Sequence, residues 1–250
     1  MKLSVNNISF SYGEKNVLND ISFSVCSNEV LSVLGANGTG KTTLLRCINK
    51  LLRPETGQVF LDDVDLLSLS RMELSRIVGF VSQYKEINRT TVFDSVLLGR
   101  IPYVTWNTDE KDLKIAERVI KLCGLEDLAM KYTDEISGGE NQLVQIARAL
   151  TQQPKILIMD EPTNNLDIQN QHQIMKLSRN VVKNNDMMLI TVIHDLNVAV
   201  RYSDRFLMLD HGKIYAEGGP DVINVQSMND VYKIDAIVED VQGYLTIIPR

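Results

Sequence analysis

The segment that most constrains this chain is Gly-Ala-Asn-Gly-Thr-Gly-Lys-Thr at residues 35–42, hereafter the P-loop. It fits G-x-x-x-x-G-K-[ST], where glycines turn backbone N–H groups toward a phosphate, the lysine adds positive charge and the hydroxyl can ligate Mg²⁺. The mainly apolar segment at 29–34 indicates a short buried strand before it. A helix is indicated after it by the spacing of Leu44, Leu45, Ile48 and Leu52. These flanks favour a phosphate site over a chance glycine-rich turn, so we expect a nucleoside triphosphate to contact Gly35, Ala36, Asn37, Gly38, Thr39, Gly40, Lys41, Thr42 and Thr43.

Length and charge exclude several classes of protein. The 250 residues contain no repeat and no Pro/Gly-rich linker, which predicts one domain over 1–250 with a helical insertion at about 91–150. A net charge of −6 argues against a nucleic-acid partner, because such proteins show a basic face. The three cysteines are far apart and lack C-x-x-C spacing, which suits a reducing compartment without structural zinc. We find no signal peptide and no apolar run of membrane-spanning length, so work at a membrane would require docking on another subunit.

The apolar pattern predicts an α/β fold. Alternating segments at 5–12 and 17–25 indicate an antiparallel pair of strands, and two further strands are expected at 57–61 and 77–81. Continuous apolar runs are typical of parallel strands buried on both faces, and they occur at 156–159 and 188–193. A hairpin is expected near the C-terminus, from 206–209 and 213–216.

Two further segments carry chemistry. Asp160 and Glu161 end a buried strand, where nucleotide-binding α/β folds place their ligands. Successive strand residues point to opposite sides, so one carboxylate would hold Mg²⁺ through its water shell and the other would orient or deprotonate water.

Residues 137–140, Ser-Gly-Gly-Glu, precede an apolar helical face and form either a second anion-binding helix terminus or an ordinary helix with a serine N-cap. One γ-phosphate cannot occupy both loops, which suggests a site completed by a second copy of the chain.

Taken in order, these motifs resemble the ATP-binding cassette (ABC) ATPases over nearly the whole chain. Four further elements of the family also occur in its order: an aromatic before the P-loop (Tyr12), a glutamine after a strand (Gln83), a loop at 164–167 and a histidine after a strand (His194). We call residues 137–140 the signature segment and residues 164–167 the D-loop. Ile136 stands where the family usually has leucine, an apolar change that leaves the backbone donors in place.

The resemblance implies a P-loop NTPase core with a parallel sheet, an antiparallel β subdomain and a helical insertion. It also implies a head-to-tail homodimer that binds two ATP·Mg²⁺. Tyr12 would stack on adenine, and Glu161 would be the general base, with His194, Lys41 and Gln83 as further catalytic residues. Mg²⁺ would be held by Thr42, Gln83 and Asp160. Ser137 and Gly139 of the partner chain would complete the site, and Gly138, Glu140 and Asp167 are further expected nucleotide-binding residues.

A narrower likeness concerns the transported substrate. Residues 96–103 and the tail from 210–213 to 247–249 resemble the ATPases of iron-siderophore, haem and cobalamin importers. This implies two transmembrane permease subunits docked near 83–105, with contacts expected at Gln83 and Arg100. It also implies an extracytoplasmic binding protein acting indirectly and a position on the cytoplasmic face of the membrane. The alternative is a soluble cassette ATPase of iron–sulfur cluster assembly. Soluble cassette ATPases of translation or DNA repair are disfavoured by the single cassette, the lack of a long heptad arm and the lack of a basic patch.

Overall fold

The computed structural model describes residues 1–83, 89–104 and 108–250. Its strands are β1 Lys2–Tyr12, β2 Lys15–Cys26, β3 Val30–Leu34, β4 Thr56–Leu61, β5 Val64–Asp65, β6 Val78–Val81, β7 Ile156–Asp160, β8 Met188–Val192, β9 Arg205–Asp210, β10 Lys213–Gly218, β11 Ala236–Val241 and β12 Tyr244–Pro249. Its α-helices are α1 Lys41–Ile48, α2 Arg71–Ser75, α3 Val92–Leu97, α4 Glu110–Leu122, α5 Gly138–Thr151, α6 Ile168–Asn184, α7 Leu196–Tyr202 and α8 Val225–Ser227.

A six-stranded sheet positions the residues of interest. Its order is β10-β9-β3-β8-β7-β6, parallel from β9 to β6, with β10 antiparallel at one edge. Every residue of β3, β7 and β8 is buried, as the continuous apolar runs predict. Because these strands are parallel neighbours, the P-loop, Asp160 and His194 all lie at the same edge of the sheet. The predicted α/β class is confirmed.

A second, antiparallel sheet has the order β2-β1-β4-β5. The predicted hairpin is present, with Leu3 opposite Val25 and Val5 opposite Phe23. Its buried side chains pack with one face of α1 and of the larger sheet in a common core. The helix after the P-loop is shorter than its apolar spacing predicts. It ends at Ile48 because Lys50 adopts a left-handed backbone with φ +54°, and Leu52 packs on the core from outside the helix.

The predicted helical insertion comprises α3, a 3₁₀ helix at Leu98–Tyr103, α4 and α5. The predicted apolar face of α5 is buried, including Leu143 and Ile146. In the described residues no helix is both long and apolar enough to cross a bilayer. The assignment of 1–250 to one domain stays a prediction.

Arg100 does not face outward, so the expectation that it contacts a permease is wrong. Its side chain is buried, and its guanidinium donates to Asp112 Oδ1 at 2.7 Å and to the Thr151 carbonyl at 2.9 Å. It also stacks on the Tyr103 ring, 4.0 Å from the centroid. A buried charge must be paired, and these contacts tie the 3₁₀ helix to α4 and to the end of α5.

Candidate nucleotide-binding site

The P-loop encloses the mouth of a cavity of about 270 Å³. Two glycines are required there by space as well as by backbone angle. Gly35 has φ +143°, and a Cβ would collide with the carbonyl oxygen of Leu209. Gly40 has φ +102°, and a Cβ would lie 2.7 Å from a side-chain carbon of Leu18. The loop can therefore bring its backbone close to a ligand only with glycine at these positions. The cavity is lined by Tyr12, Lys15, Val17, Asn37, Gly38, Gly40, Lys41, Thr42, Thr43 and Glu161.

Lys41, the first residue of α1, is folded back into the P-loop. Its ammonium donates to the carbonyl oxygens of Gly35 and Ala36, each at 2.8 Å. Burial lowers the pKa of Lys41, and the nearby carboxylates of Glu161 and Asp160 oppose that shift. A polyanion at the helix N-terminus would favour the charged lysine in the same way, so the site suits a phosphate chain.

Asp160 and Thr42 form a paired oxygen site at the end of β7. The Thr42 hydroxyl donates to Asp160 Oδ1 at 2.8 Å, and Asp160 is 1% exposed. Burial raises the pKa of Asp160, while the bond from Thr42 lowers it. A hydroxyl and a carboxylate oxygen are the ligands that Mg²⁺ prefers, usually together with substrate phosphates. The donor set therefore fits Mg²⁺, and two of the three predicted metal ligands lie together.

Glu161 is the centre of a second polar cluster. Its carboxylate is 2.6 Å from His194 Nε2 and accepts from Gln83 Nε2 at 2.5 Å and from Asn164 Nδ2 at 3.1 Å. Its backbone has φ +53°, an uncommon conformation for a glutamate. Such conformations persist where the surroundings enforce them, and they are frequent at active sites. Three predicted catalytic residues thus converge, and Gln83 contacts Glu161 rather than the Thr42–Asp160 pair.

The signature segment is built as a capping box. Ser137 Oγ accepts the Glu140 N–H at 3.3 Å, and Glu140 Oε2 accepts the Ser137 N–H at 2.7 Å. These bonds from Ser137 lower the pKa of Glu140. Ser137 is therefore an N-cap, as the alternative of an ordinary capped helix predicts. Ser137 and Gly138 at this helix N-terminus are exposed. None of the described residues of the signature segment lines the P-loop cavity.

The D-loop is connected to the signature segment through Asn170 of α6. Asp167 Oδ1 caps α6 by accepting the Asn170 N–H at 2.8 Å, and Oδ2 accepts the Asn170 side-chain amide at 2.8 Å. A Cβ on Gly139 would lie 2.6 Å from that amide. Asp167 therefore supports Asn170, and Asn170 packs on the signature glycine.

Comparison with known proteins identifies the family. The family model described as ABC transporter matches residues 18–164. The chain belongs to the ABC transporter ATP-binding proteins. An uncharacterised ABC transporter ATP-binding protein of Methanocaldococcus jannaschii is 50% identical over 249 residues, covering 100% of this chain and 98% of the relative.

Two importer ATPases are also similar to this chain along most of its length. A phosphonates import ATP-binding protein of Haloarcula marismortui is 35% identical and covers 92% of this chain and 89% of its own length. A petrobactin import ATP-binding protein of Bacillus subtilis is 32% identical and covers 96% of both chains. The chain is accordingly the ATPase subunit of an ABC importer, with ATP and Mg²⁺ as its cofactors.

Solved structures agree on the fold. An inward-facing ABC transporter described as metal-chelate type superposes with a TM-score of 0.85 at 25% identity, covering 99% of this chain and 96% of that chain. A dimeric ATP-binding cassette bound to ADP and phosphate superposes with a TM-score of 0.74 at 29% identity, covering 87% of this chain and 98% of that chain.

In this ABC ATPase, several residues at the P-loop cavity and at Glu161 were not expected from the sequence. Asn164 contacts the Glu161 carboxylate, and the only signal was its place in the D-loop. Lys15 and Val17 line the cavity beside Tyr12, on the hairpin that carries the aromatic ring. Tyr12 itself is 49% exposed and packs edge-on against Phe10, with ring centroids 4.8 Å apart. Its open ring face fits the predicted stacking on a base.

Proposed function

We propose that this ABC ATPase drives uptake of a metal chelate of the siderophore, haem or cobalamin type through a membrane permease. The observation that carries the proposal is the superposition with the metal-chelate type transporter over 99% of this chain, since it extends through the C-terminal hairpin β11–β12. The dimeric cassette matches only 87% of this chain. The similarity to a petrobactin import protein supports the same class of cargo.

Hydrolysis would rest on the two polar clusters. We assign Glu161 as the general base, oriented by the contacts of its carboxylate with His194 and Gln83. Lys41 and the P-loop N–H groups would bind the phosphates, and His194 would position the γ-phosphate. Thr42 and Asp160 would hold Mg²⁺, which supplies charge neutralisation at the phosphate oxygens when bound. Gln83 contacts Glu161 in this structure, and it would join them as a ligand only when Mg²⁺ is bound. Tyr12 would stack on adenine, a contact that tolerates other bases and predicts some use of GTP.

The dimer is the second part of the proposal. The signature segment is directed outward and lines no part of its own chain's cavity within the described residues. We propose that Ser137, Gly138, Gly139, Glu140 and Asp167 complete the site of a second copy. A site divided between two copies would make hydrolysis conditional on closure, and closure would drive the permease between two access states.

We propose that two permease subunits dock near residues 83–105, on the cytoplasmic face of the membrane, with an extracytoplasmic binding protein delivering the chelate. Part of that range, residues 84–88 and 105, lies outside the described residues. Within the described part, the 3₁₀ helix exposes Leu98 at 43% and Ile101 at 55%, while Arg100 anchors it from beneath. These two apolar side chains replace Arg100 as the positions for crosslinking to a permease.

Phosphonate is the second candidate cargo, because the phosphonates import relative has the higher identity of the two importers, 35% against 32%. The soluble ATPase of iron–sulfur cluster assembly stays the alternative outside transport. An affinity-tagged chain extracted from its native membranes tests all three possibilities.

The purified complex would be placed in liposomes with ATP, and uptake of labelled ferric siderophore, haem, cobalamin and phosphonate would be measured. A complex carrying Glu161→Gln is the matched control that binds ATP without turnover. We expect a permease in the complex and uptake of one metal chelate. Uptake of phosphonate alone would contradict the metal-chelate assignment and identify phosphonate as the transported substrate. Recovery of iron–sulfur scaffold proteins without a permease would overturn the transporter assignment.

A further inference from the structure

A tyrosine near the C-terminus reaches the first glycine of the P-loop. Tyr232 ends the π-helical turn Met228–Tyr232, and its phenol oxygen accepts the Gly35 N–H at 2.9 Å. The two residues are 197 positions apart in sequence. Met228 and Val231 of the same turn are buried in the core, so the phenol is held in place by its own segment.

Two side chains, Tyr232 and Lys41, hold Gly35 from its two sides. Its N–H is bonded to Tyr232, and its carbonyl accepts from the Lys41 ammonium at 2.8 Å. A Cβ at this position would collide with the carbonyl oxygen of Leu209, so the residue is also closely enclosed on its Cα side. The orientation of the Gly35 peptide groups therefore links Tyr232 to the position of Lys41.

The phenol is suited to a lasting structural contact. Burial raises the pKa of Tyr232 to about 12, and the bond from Gly35 opposes that shift. The side chain is therefore neutral over the pH range in which proteins work, and its oxygen accepts the same bond throughout. No other described residue is bonded to the Gly35 N–H through a side chain.

We propose that Tyr232 is a positioning residue for the P-loop. By holding the Gly35 N–H it fixes the peptide group that precedes Gly35, and so restricts the residue whose carbonyl accepts from Lys41. We infer that this contact sets the affinity of the site for the phosphates of MgATP. The C-terminal segment thereby belongs to the nucleotide-binding machinery. The proposal concerns ATP alone and is independent of the transported substrate.

Tyr232→Phe is the first test, because it removes the acceptor and keeps the ring. An unsatisfied buried N–H is costly, and we expect the KM for ATP to rise about tenfold with kcat within about a factor of two. Tyr215→Phe is the matched control. Its hydroxyl donates to Asp230 Oδ2 at 2.7 Å, so it removes a phenol that contacts the same segment but does not touch the P-loop. We expect its KM to be unchanged.

A double-mutant cycle with Lys41→Ala tests the route of the effect. Affinity for a fluorescent ATP analogue would be measured in wild type, in each single variant and in the double variant. If Tyr232 acts through Gly35 and Lys41, Tyr232→Phe should have a smaller effect once Lys41 is absent. Hydrogen exchange of the Gly35 amide should also be faster in Tyr232→Phe.

An unchanged KM in a folded Tyr232→Phe variant overturns the proposal, even if its melting temperature falls, because a purely structural role moves stability alone. If Tyr232→Phe lowers the affinity for the ATP analogue equally with and without Lys41, the proposed action through Gly35 and Lys41 is wrong. If Tyr232→Phe does not fold, Tyr232→Met supplies the same test, since methionine fills irregular apolar space without an oxygen acceptor.

Discussion

The P-loop region and the signature segment are built in opposite ways. Around the P-loop, the bonds that define the site join distant positions, 118 residues apart for Thr42–Asp160 and 78 for Gln83–Glu161. In the signature segment, the bonds between Ser137 and Glu140 span three residues. The first region exists only when the whole sheet is formed. The second is a local helix end that the fold presents on its surface.

A local helix end by itself says little about function. Ser70 and Glu73 form the same capping box at the start of α2, with bonds of 3.2 and 2.9 Å. The two boxes differ in their surroundings, since Gly139 packs on Asn170 of α6, which Asp167 of the D-loop holds in place. If this comparison is correct, a change in the polar cluster around Glu161 should abolish ATP hydrolysis. The same substitution in each of the two capping boxes should have unequal effects on hydrolysis.

Glu161→Gln should have the largest effect. The amide keeps the size of the side chain but cannot take a proton, so turnover should fall by about 10²–10⁴, the usual contribution of a general base. Binding of a fluorescent ATP analogue should be retained, and steady-state phosphate release measures the loss. Single-turnover hydrolysis near the wild-type rate would remove Glu161 from the base role.

Arg100→Ala should have the next largest effect. It tests whether α5, the helix that begins at the signature segment, depends on distant contacts for its stability. Arg100 joins Asp112 to the C-terminal end of α5, so its loss leaves a buried carboxylate unpaired, at a cost of about 3–5 kcal/mol in unfolding free energy. Urea denaturation measures it. Arg118→Ala, at an exposed position on α4, is the control and should stay within about 0.5 kcal/mol. Equal losses in the two variants would contradict the role of the buried pair.

Much of the fold and of the site could be predicted, because sequence periodicity reports burial. The continuous apolar runs of β7 and β8 and the P-loop pattern were sufficient to place Lys41, Thr42, Asp160 and His194 at one edge of the sheet. The end of α1 could not be predicted in this way, since Leu52 continues the apolar spacing while the left-handed backbone at Lys50 stops the helix.

The contacts that were missed are those that no local pattern records. Arg100 looks like a surface cation, and only the three-dimensional arrangement of the 3₁₀ helix, α4 and α5 shows that it is buried. Tyr232 meets Gly35 across almost the whole length of the chain. Asn164 reaches Glu161 because the chain turns at the D-loop, where the Asn164 N–H also bonds to the Glu161 carbonyl at 3.2 Å. The role proposed for the signature segment requires a second copy of the chain, and contacts within one chain cannot test it.

The pair of variants Ser137→Arg and Ser70→Arg tests most directly whether the two capping boxes differ in function. Both changes remove a serine N-cap, which costs about 1 kcal/mol of helix stability, and both place a cation at a helix N-terminus. Only Ser137 should also affect the second copy's nucleotide, so only Ser137→Arg should lower hydrolysis, by about 100-fold, as for loss of a preorganised phosphate donor. ATP binding to the monomer should be nearly intact in both.

The Ser137→Arg result has a further check in mixed dimers. Mixed with Lys41→Ala chains, Ser137→Arg chains should regain at most one competent site per dimer, because both lesions then fall on the other site. Normal hydrolysis by the Ser137→Arg variant alone, or equal loss in Ser70→Arg, would contradict the head-to-tail arrangement.

The smallest effect should be the response of the signature capping box to acid. The bonds from Ser137 lower the pKa of Glu140 from its usual 4.5, so the carboxylate contributes stability above that value and loses it as pH falls through the lowered pKa. Glu140→Gln should therefore lower the melting temperature slightly at about pH 7, and this difference should shrink as the pH falls through the lowered pKa of Glu140. Ser137→Ala should raise the Glu140 pKa toward 4.5 in an NMR titration, whereas Ser70→Ala should shift only Glu73. A Glu140 titration that is identical in wild type and Ser137→Ala would show that the box does not hold the carboxylate in solution, and the signature segment would then need support from outside its own turn.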